Sequence, residues 1–181
     1  LFEDMYITSP IPFVELYGAM SEKGVKVTLD GHGADEFFGG YSFDFLHILK
    51  DELFNPKAVV EVFKAYFNTQ IENEDFKKTS KTFFVIKTLL KTLGKKILNH
   101  KNISKVSTHP VWKKMDYFTQ KLYISSHETV LPTLLRNYDR YSMIHGVEIR
   151  MPFMDYKVVA YALSLPWQSK IKNGYSKAII R

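Results

Sequence analysis

One segment constrains this chain more than any other. Residues 25–30, VKVTLD, alternate and are β-branched, and they form the one convincing strand in a sequence otherwise patterned as helix. A strand by itself leaves backbone donors and acceptors unpaired along both edges, and each buried unpaired peptide group costs about 1–3 kcal/mol. Its partners are therefore expected from sequence upstream of Leu1, in a parallel sheet covered by helices. This predicts an α/β fold, mostly helical in this portion, with residues 1–181 a piece of a larger domain.

Helical spacing surrounds the strand. Pro12 to Lys23 places Phe13, Leu16, Tyr17 and Met20 on one side and stops at Gly24. A helix start is expected at Ala34 to Phe38, a helix from about Phe43 to Leu53, and another from Pro56 to about Phe67. Residues 68–82 look like a loop or frayed helix end, and Asn99 to His109 like a linker. Helical stretches follow from Pro110 to about Ser125 and from Thr129 to about His145, with Gly146 as a stop. Residues 147–154 are extended, since the residue before Pro152 avoids the α region, and Asp155 is an N-cap for a helix through Leu163.

Composition removes several chemistries. Without cysteine there is no disulfide scaffold, thiolate zinc site or cysteine nucleophile, and the six scattered histidines argue against a histidine-only metal cage. No apolar run approaches the roughly 20 residues that cross a bilayer, so the chain reads as soluble; a cytoplasmic location is expected separately. The net charge of +6 is unevenly placed: nine lysines and no acid lie between Lys77 and Lys105. There Phe83, Ile86, Leu90, Leu93 and Ile97 recur at steps of three and four beside Lys87, Lys91 and Lys95, a basic amphipathic helix. Its apolar stripe is expected to face the core, with the lysines in solvent. A surface for anionic lipid or nucleic acid is the other reading, although the lysine stripe lacks the interleaved aromatics that stack bases.

The order strand, Gly31-His32-Gly33 turn, helix puts that turn at the carboxyl end of a strand, where open α/β sheets bind ligands. Glycines allow close backbone approach, amides at a helix start attract phosphate, and Asp35 or Glu36 can hold Mg²⁺ bridging to phosphate. A plain tight turn, with its acids complementing the helix dipole, fits the spacing equally well.

VTLDGHGADEFFGGY (27–41) resembles a signature of asparagine synthetases that usually reads close to SGEGADELFGGY. LPTLLRNYDRYSMIHGVEIRMPFMD (131–155) is similar to their later signature, and ALSLPWQSKIKNGYSKAIIR follows their pattern of an LP and a K-x-x-x-R. The resemblance implies a Rossmann-like ATP-pyrophosphatase domain of the PP-loop, adenine-nucleotide alpha-hydrolase type. Such a domain activates the side-chain carboxylate of aspartate with ATP and Mg²⁺, then amidates it with ammonia supplied by an upstream glutaminase domain. By the same resemblance Asp30 and Gly31 match the nucleotide-contacting pair and Asp35 the aspartate that binds Mg²⁺ and pyrophosphate. His32 stands where the family usually has a glutamate; an imidazole can accept a proton from the incoming amine near neutral pH, or donate to phosphate. Arg136, Asp139, Arg140, Glu148, Arg150 and Asp155 are expected as a partly buried network bracing the wall of the site, where spacing alone suggests a salt-bridged surface. Ser142 has no paired base and is not expected to be a nucleophile.

The departure at His32 keeps open a relative that amidates another acid or closes a lactam, and a binding module without chemistry. No SGG-x-DS loop occurs in the sequence, and in the family that turn grips the pyrophosphate end of ATP. The polypeptide 1–181 alone is therefore expected to have no synthetase activity. Purified and supplied with ATP, Mg²⁺ and aspartate, it should release no pyrophosphate above background in a coupled phosphate assay, and clear release would refute this.

Overall fold

The structure is a computed structural model that describes residues 11–70, 80–97 and 112–181, with the side chains of 95–97 and 113 left aside. The expected linker, 99–109, and most of the expected loop, 71–79, lie outside the described residues. In chain order the elements are α1 (Ile11–Glu22), β1 (Val27–Leu29), α2 (Ala34–Phe38), α3 (Ser42–Phe45), α4 (Leu49–Glu52) and α5 (Pro56–Thr69). Then come α6 (Lys81–Ile97), α7 (Tyr117–His127), α8 (Val130–Met143), β2 (Glu148–Arg150), α9 (Tyr156–Ser164) and α10 (Trp167–Lys170). The helix expected over 43–53 is two short ones, because the amides of His47 and Ile48 bond three residues back, to Asp44 and Phe45, and tighten the chain into a turn.

The described residues fall in two compact units, one within Leu1–Phe37 and Tyr123–Ala162, the other within Phe38–Leu122 and Leu163–Arg181. In the first unit β1 and β2 pair in parallel, with Val27 opposite Glu148, Thr28 opposite Ile149 and Leu29 opposite Arg150. This corrects the expectation that every partner of β1 comes from outside the chain. The stretch read only as extended before Pro152 supplies one edge, and the result is a mostly helical α/β arrangement with a small parallel sheet.

Beside the sheet, α1 lies on α8 through buried Tyr17, Tyr141 and Val147, with Phe13, Val14, Met20, Tyr138 and Ile149 packed around them. The helix can approach closely because position 18 is glycine: a Cβ there would stand 3.2 Å from the His145 ring. Ser21 Oγ donates to the His145 carbonyl at 2.8 Å and closes the same corner. Gly146 ends α8 with φ +66°, as its placement in the sequence predicts. Asp155 caps α9 as expected, its Oδ1 accepting the Lys157 amide at 2.8 Å.

The second unit is built on Phe45, Ile48, Leu49, Val62, Phe63, Phe118, Leu122, Trp167 and Ile171. Pro56 opens α5 and the Asn55 side chain accepts the Ala58 amide. The helix α6 also packs here, but not with the stripe expected from its spacing. Phe84, Val85 and Leu89 lie against the core, whereas Phe83, Ile86 and Leu90 are exposed. Both sets have helical spacing, and the neighbouring elements decide which one is covered.

Lys170 is fully buried at the end of α10, its Nζ 5.8 Å from the centroid of the Phe118 ring, with no hydrogen-bond partner among the described residues. Burial lowers its pKa from the ordinary 10.5 to about 8, against the opposing pull of Asp116. The unfolded chain therefore holds more protons than the folded one between those values, and the charged form burdens the fold below them by roughly 3 kcal/mol. From pH 7.5 to 10 the wild type should gain stability to urea relative to Lys170→Met, which lacks the titrating group. Parallel pH profiles of the two unfolding free energies would refute the assignment.

Candidate active site

The ladder of β1 continues one residue past the strand, where the Asp30 amide donates to the Arg150 carbonyl at 2.9 Å. This anchors the start of the glycine turn to the strand that carries Glu148 and Arg150. Asp30 Oδ2 then accepts from the Tyr17 hydroxyl at 3.1 Å. Burial, reinforced by the Asp30 carboxylate, pushes the Tyr17 phenol well above its ordinary pKa, so it stays a donor. Nδ1 of His32 stands 3.6 Å from that same oxygen, too far for a hydrogen bond but close enough to pair once the imidazole is protonated. Shielded from solvent, this nitrogen has no hydrogen-bond partner among the described residues. The His32 ring is held edge-on against Tyr138, centroids 4.2 Å apart at 64°.

The two glycines of the turn serve different purposes. Gly33 has φ +94°, and a Cβ there would stand 3.1 Å from the Phe37 ring and 3.2 Å from the Met154 sulfur. Gly31 is exposed, and a Cβ would meet nothing within 4 Å, so the space over its backbone is open. That open flank is where a ligand can approach the turn. Asp35 and Glu36 occupy the first turn of α2, Asp35 half-buried and Glu36 buried.

No group of three or more metal-ligating side chains occurs among the described residues. A Mg²⁺ at Asp35 would rest on one carboxylate together with water and phosphate oxygens, a donor set this ion readily accepts. Among the described residues, then, Asp35 suits an ion held by one protein carboxylate rather than by a cluster.

Around Asp30, Gly31 and His32, consecutive in the chain, the structure sets two tyrosines that the spacing did not single out, Tyr17 and Tyr138. Tyr17 reads in the sequence as one more residue of an apolar helix face; a buried tyrosine needs a partner for its hydroxyl, and that is the signal that points beyond packing. Tyr138 carried no comparable signal. The expected wall differs from its description. Arg136, Asp139, Arg140, Glu148, Arg150 and Asp155, expected as partly buried, are all exposed in this chain. Glu148 and Arg150, two apart on a strand and hence on one face, pair with each other at 2.9 Å, and Asp155 caps α9. Ser142 is buried, its hydroxyl donating to the Asp139 carbonyl at 3.1 Å.

Comparison with known proteins places these features. The asparagine synthase family model matches residues 1–181. Asparagine synthetase (glutamine-hydrolyzing) 1 of Bacillus subtilis (strain 168) is 29% identical over 89% of this chain and 28% of its own length. Asparagine synthetase (glutamine-hydrolyzing) 3 of the same organism is 26% identical over 88% of this chain and 24% of its own. The chicken (Gallus gallus) asparagine synthetase is 46% identical over a shorter stretch, 24% of this chain and 8% of that protein. The chain thus spans about a quarter of the length of the two bacterial relatives. No solved structure gives a significant match.

Gly33→Ala should lower the unfolding free energy by about 1–3 kcal/mol through its left-handed backbone and tight surroundings. Gly31→Ala should stay within about 0.5 kcal/mol of wild type. Urea titrations of the two variants check the pair, and equal losses would contradict the separate purposes given to the glycines.

Proposed function

The chain belongs to the asparagine synthase family, and on that premise we propose that it forms one wall of the ATP site of an aspartate-amidating ligase with a Rossmann-like PP-loop fold. A carboxylate oxygen of the aspartate side chain attacks the α-phosphorus of ATP, the bond to the bridging oxygen breaks, and pyrophosphate leaves. Ammonia then adds to the acyl carbon of the adenylate, and AMP departs with the electrons of the C–O bond. The ammonia comes from glutamine through a glutaminase domain elsewhere in the whole protein, as the names of the relatives suggest. A cytoplasmic location accords with these substrates.

Each residue has a part in this reading. Gly31 lets the nucleotide approach the turn, since nothing crowds its open flank. Asp30 has its backbone on β2 and its carboxylate on Tyr17, which fixes the entrance to the turn. Asp35 would hold Mg²⁺, which would supply positive charge to offset that of the departing pyrophosphate. His32 takes the proton shed by the attacking ammonia, and the Asp30 carboxylate beside it stabilises the imidazolium that forms. Arg136, Asp139, Arg140, Glu148, Arg150 and Asp155 surround the site as its outer wall.

The observation that carries the proposal is the junction of the two signatures, β1 and the Asp30 amide that opens the His32 turn being bonded to the Glu148–Arg150 strand. Its test uses the full-length protein with ATP, Mg²⁺, ammonium and a panel of carboxylic acids. AMP formation with aspartate is expected; AMP with a different acid alone would move the substrate assignment, and none with any acid would overturn adenylation. His32→Ala should lower amide formation by about 10²–10⁴-fold with an unchanged circular dichroism spectrum. Unaltered turnover would remove the general-base role.

A further inference from the structure

The helix α6 has two apolar faces, and the second unit uses only one of them. Phe84, Val85 and Leu89 meet the core, while Phe83, Ile86 and Leu90 are 62%, 51% and 64% exposed. At about 100° per residue these three share an arc of about 60° pointing away from the core. Lys87 and Lys91, both exposed, run alongside that arc. Lys81, at the start of the helix, is engaged over the Phe67 ring at 5.5 Å and does not belong to this face.

The charge around the face selects its occupant. The helix itself holds no acid, and Lys87 and Lys91 are the exposed cations beside the apolar arc. A second copy of the chain docking here would bring two rows of lysine together, so self-association through this face is opposed. Nucleic acid would answer the lysines but leave Ile86 and Leu90 in water, since neither offers a ring on which a base can stack. A partner protein with alternating charges would find no acid here to pair with its own cations. A uniformly anionic, apolar-backed surface satisfies both halves at once: acyl chains take Phe83, Ile86 and Leu90, and the lysines lift their ammonium groups to headgroup phosphates.

We propose that this face of α6 binds the surface of an anionic lipid bilayer, the helix lying in the plane of the headgroups. No helix among the described residues is long and apolar enough to cross a membrane, and this mode requires none. Attachment would be reversible and weakened by salt, because the apolar area offered is small and the lysines supply the rest.

The test is co-sedimentation of the full chain with phosphatidylcholine vesicles, with and without phosphatidylglycerol. Binding is expected only to the vesicles containing phosphatidylglycerol, and it should fall as salt is raised. The double variants Phe83→Asp/Leu90→Asp and Lys87→Glu/Lys91→Glu should each lower the partition coefficient about tenfold or more, with the urea midpoint unchanged. Both pairs lie on the exposed surface, and either variant suffices if the other disturbs folding. Absence of binding to the anionic vesicles, equal binding to neutral ones, or undiminished binding by folded variants would overturn the proposal. So would dimerisation or nucleic-acid binding lost on substituting Phe83 and Leu90 in a protein that ignores vesicles.

Discussion

The backbone ladder between Val27–Leu29 and Glu148–Arg150 is the interaction on which the first unit depends. More than a hundred residues separate the two segments, and closing so long a loop carries an entropic cost that only non-local contacts repay. The ladder is helped by the packing of α1 on α8, which carries Tyr17 against Tyr141 and seats Gly18 beneath His145. Once the strands are paired, Asp30 emerges beside Arg150 with its carboxylate within reach of the α1 tyrosine. The candidate site is therefore a product of topology as much as of its own residues.

Local structure was largely legible in the sequence, and non-local pairing was not. The strand, the glycine turn, the start of α2, the stop at Gly146 and the cap at Asp155 each follow from steric or hydrogen-bonding preferences within a few residues. The strand β2 is only Glu-Ile-Arg, too short and too charged to announce itself by alternation, and its role comes from the partner it meets. Tyr17 was placed on the correct helix face, but its hydroxyl acquires meaning only when folding sets it against Asp30. The motif names six residues as a wall, but their exposure depends on what surrounds them, which a motif does not encode.

The α6 helix and Lys170 make a related point about energy. Periodicity identifies a stripe that can be buried, but where a helix carries two, the geometry of its neighbours selects between them. Lys170 shows the opposite strain: a buried amino group beside the Phe118 ring with no hydrogen-bond partner among the described residues, set within the packed second unit. Both features leave the fold carrying something it does not need for stability, an apolar stripe in water in one case and a desolvated amine in the other.

The tight fit at Gly33 reaches beyond its own turn. The ring of Phe37 and the sulfur of Met154 both stand closer than ordinary van der Waals contact to where a Cβ would be, so glycine alone fits that flank without a shift. Met154 follows the Glu148–Arg150 strand and the Pro152 bend, so the fit at Gly33 sets the two segments side by side with no room for a side chain between them.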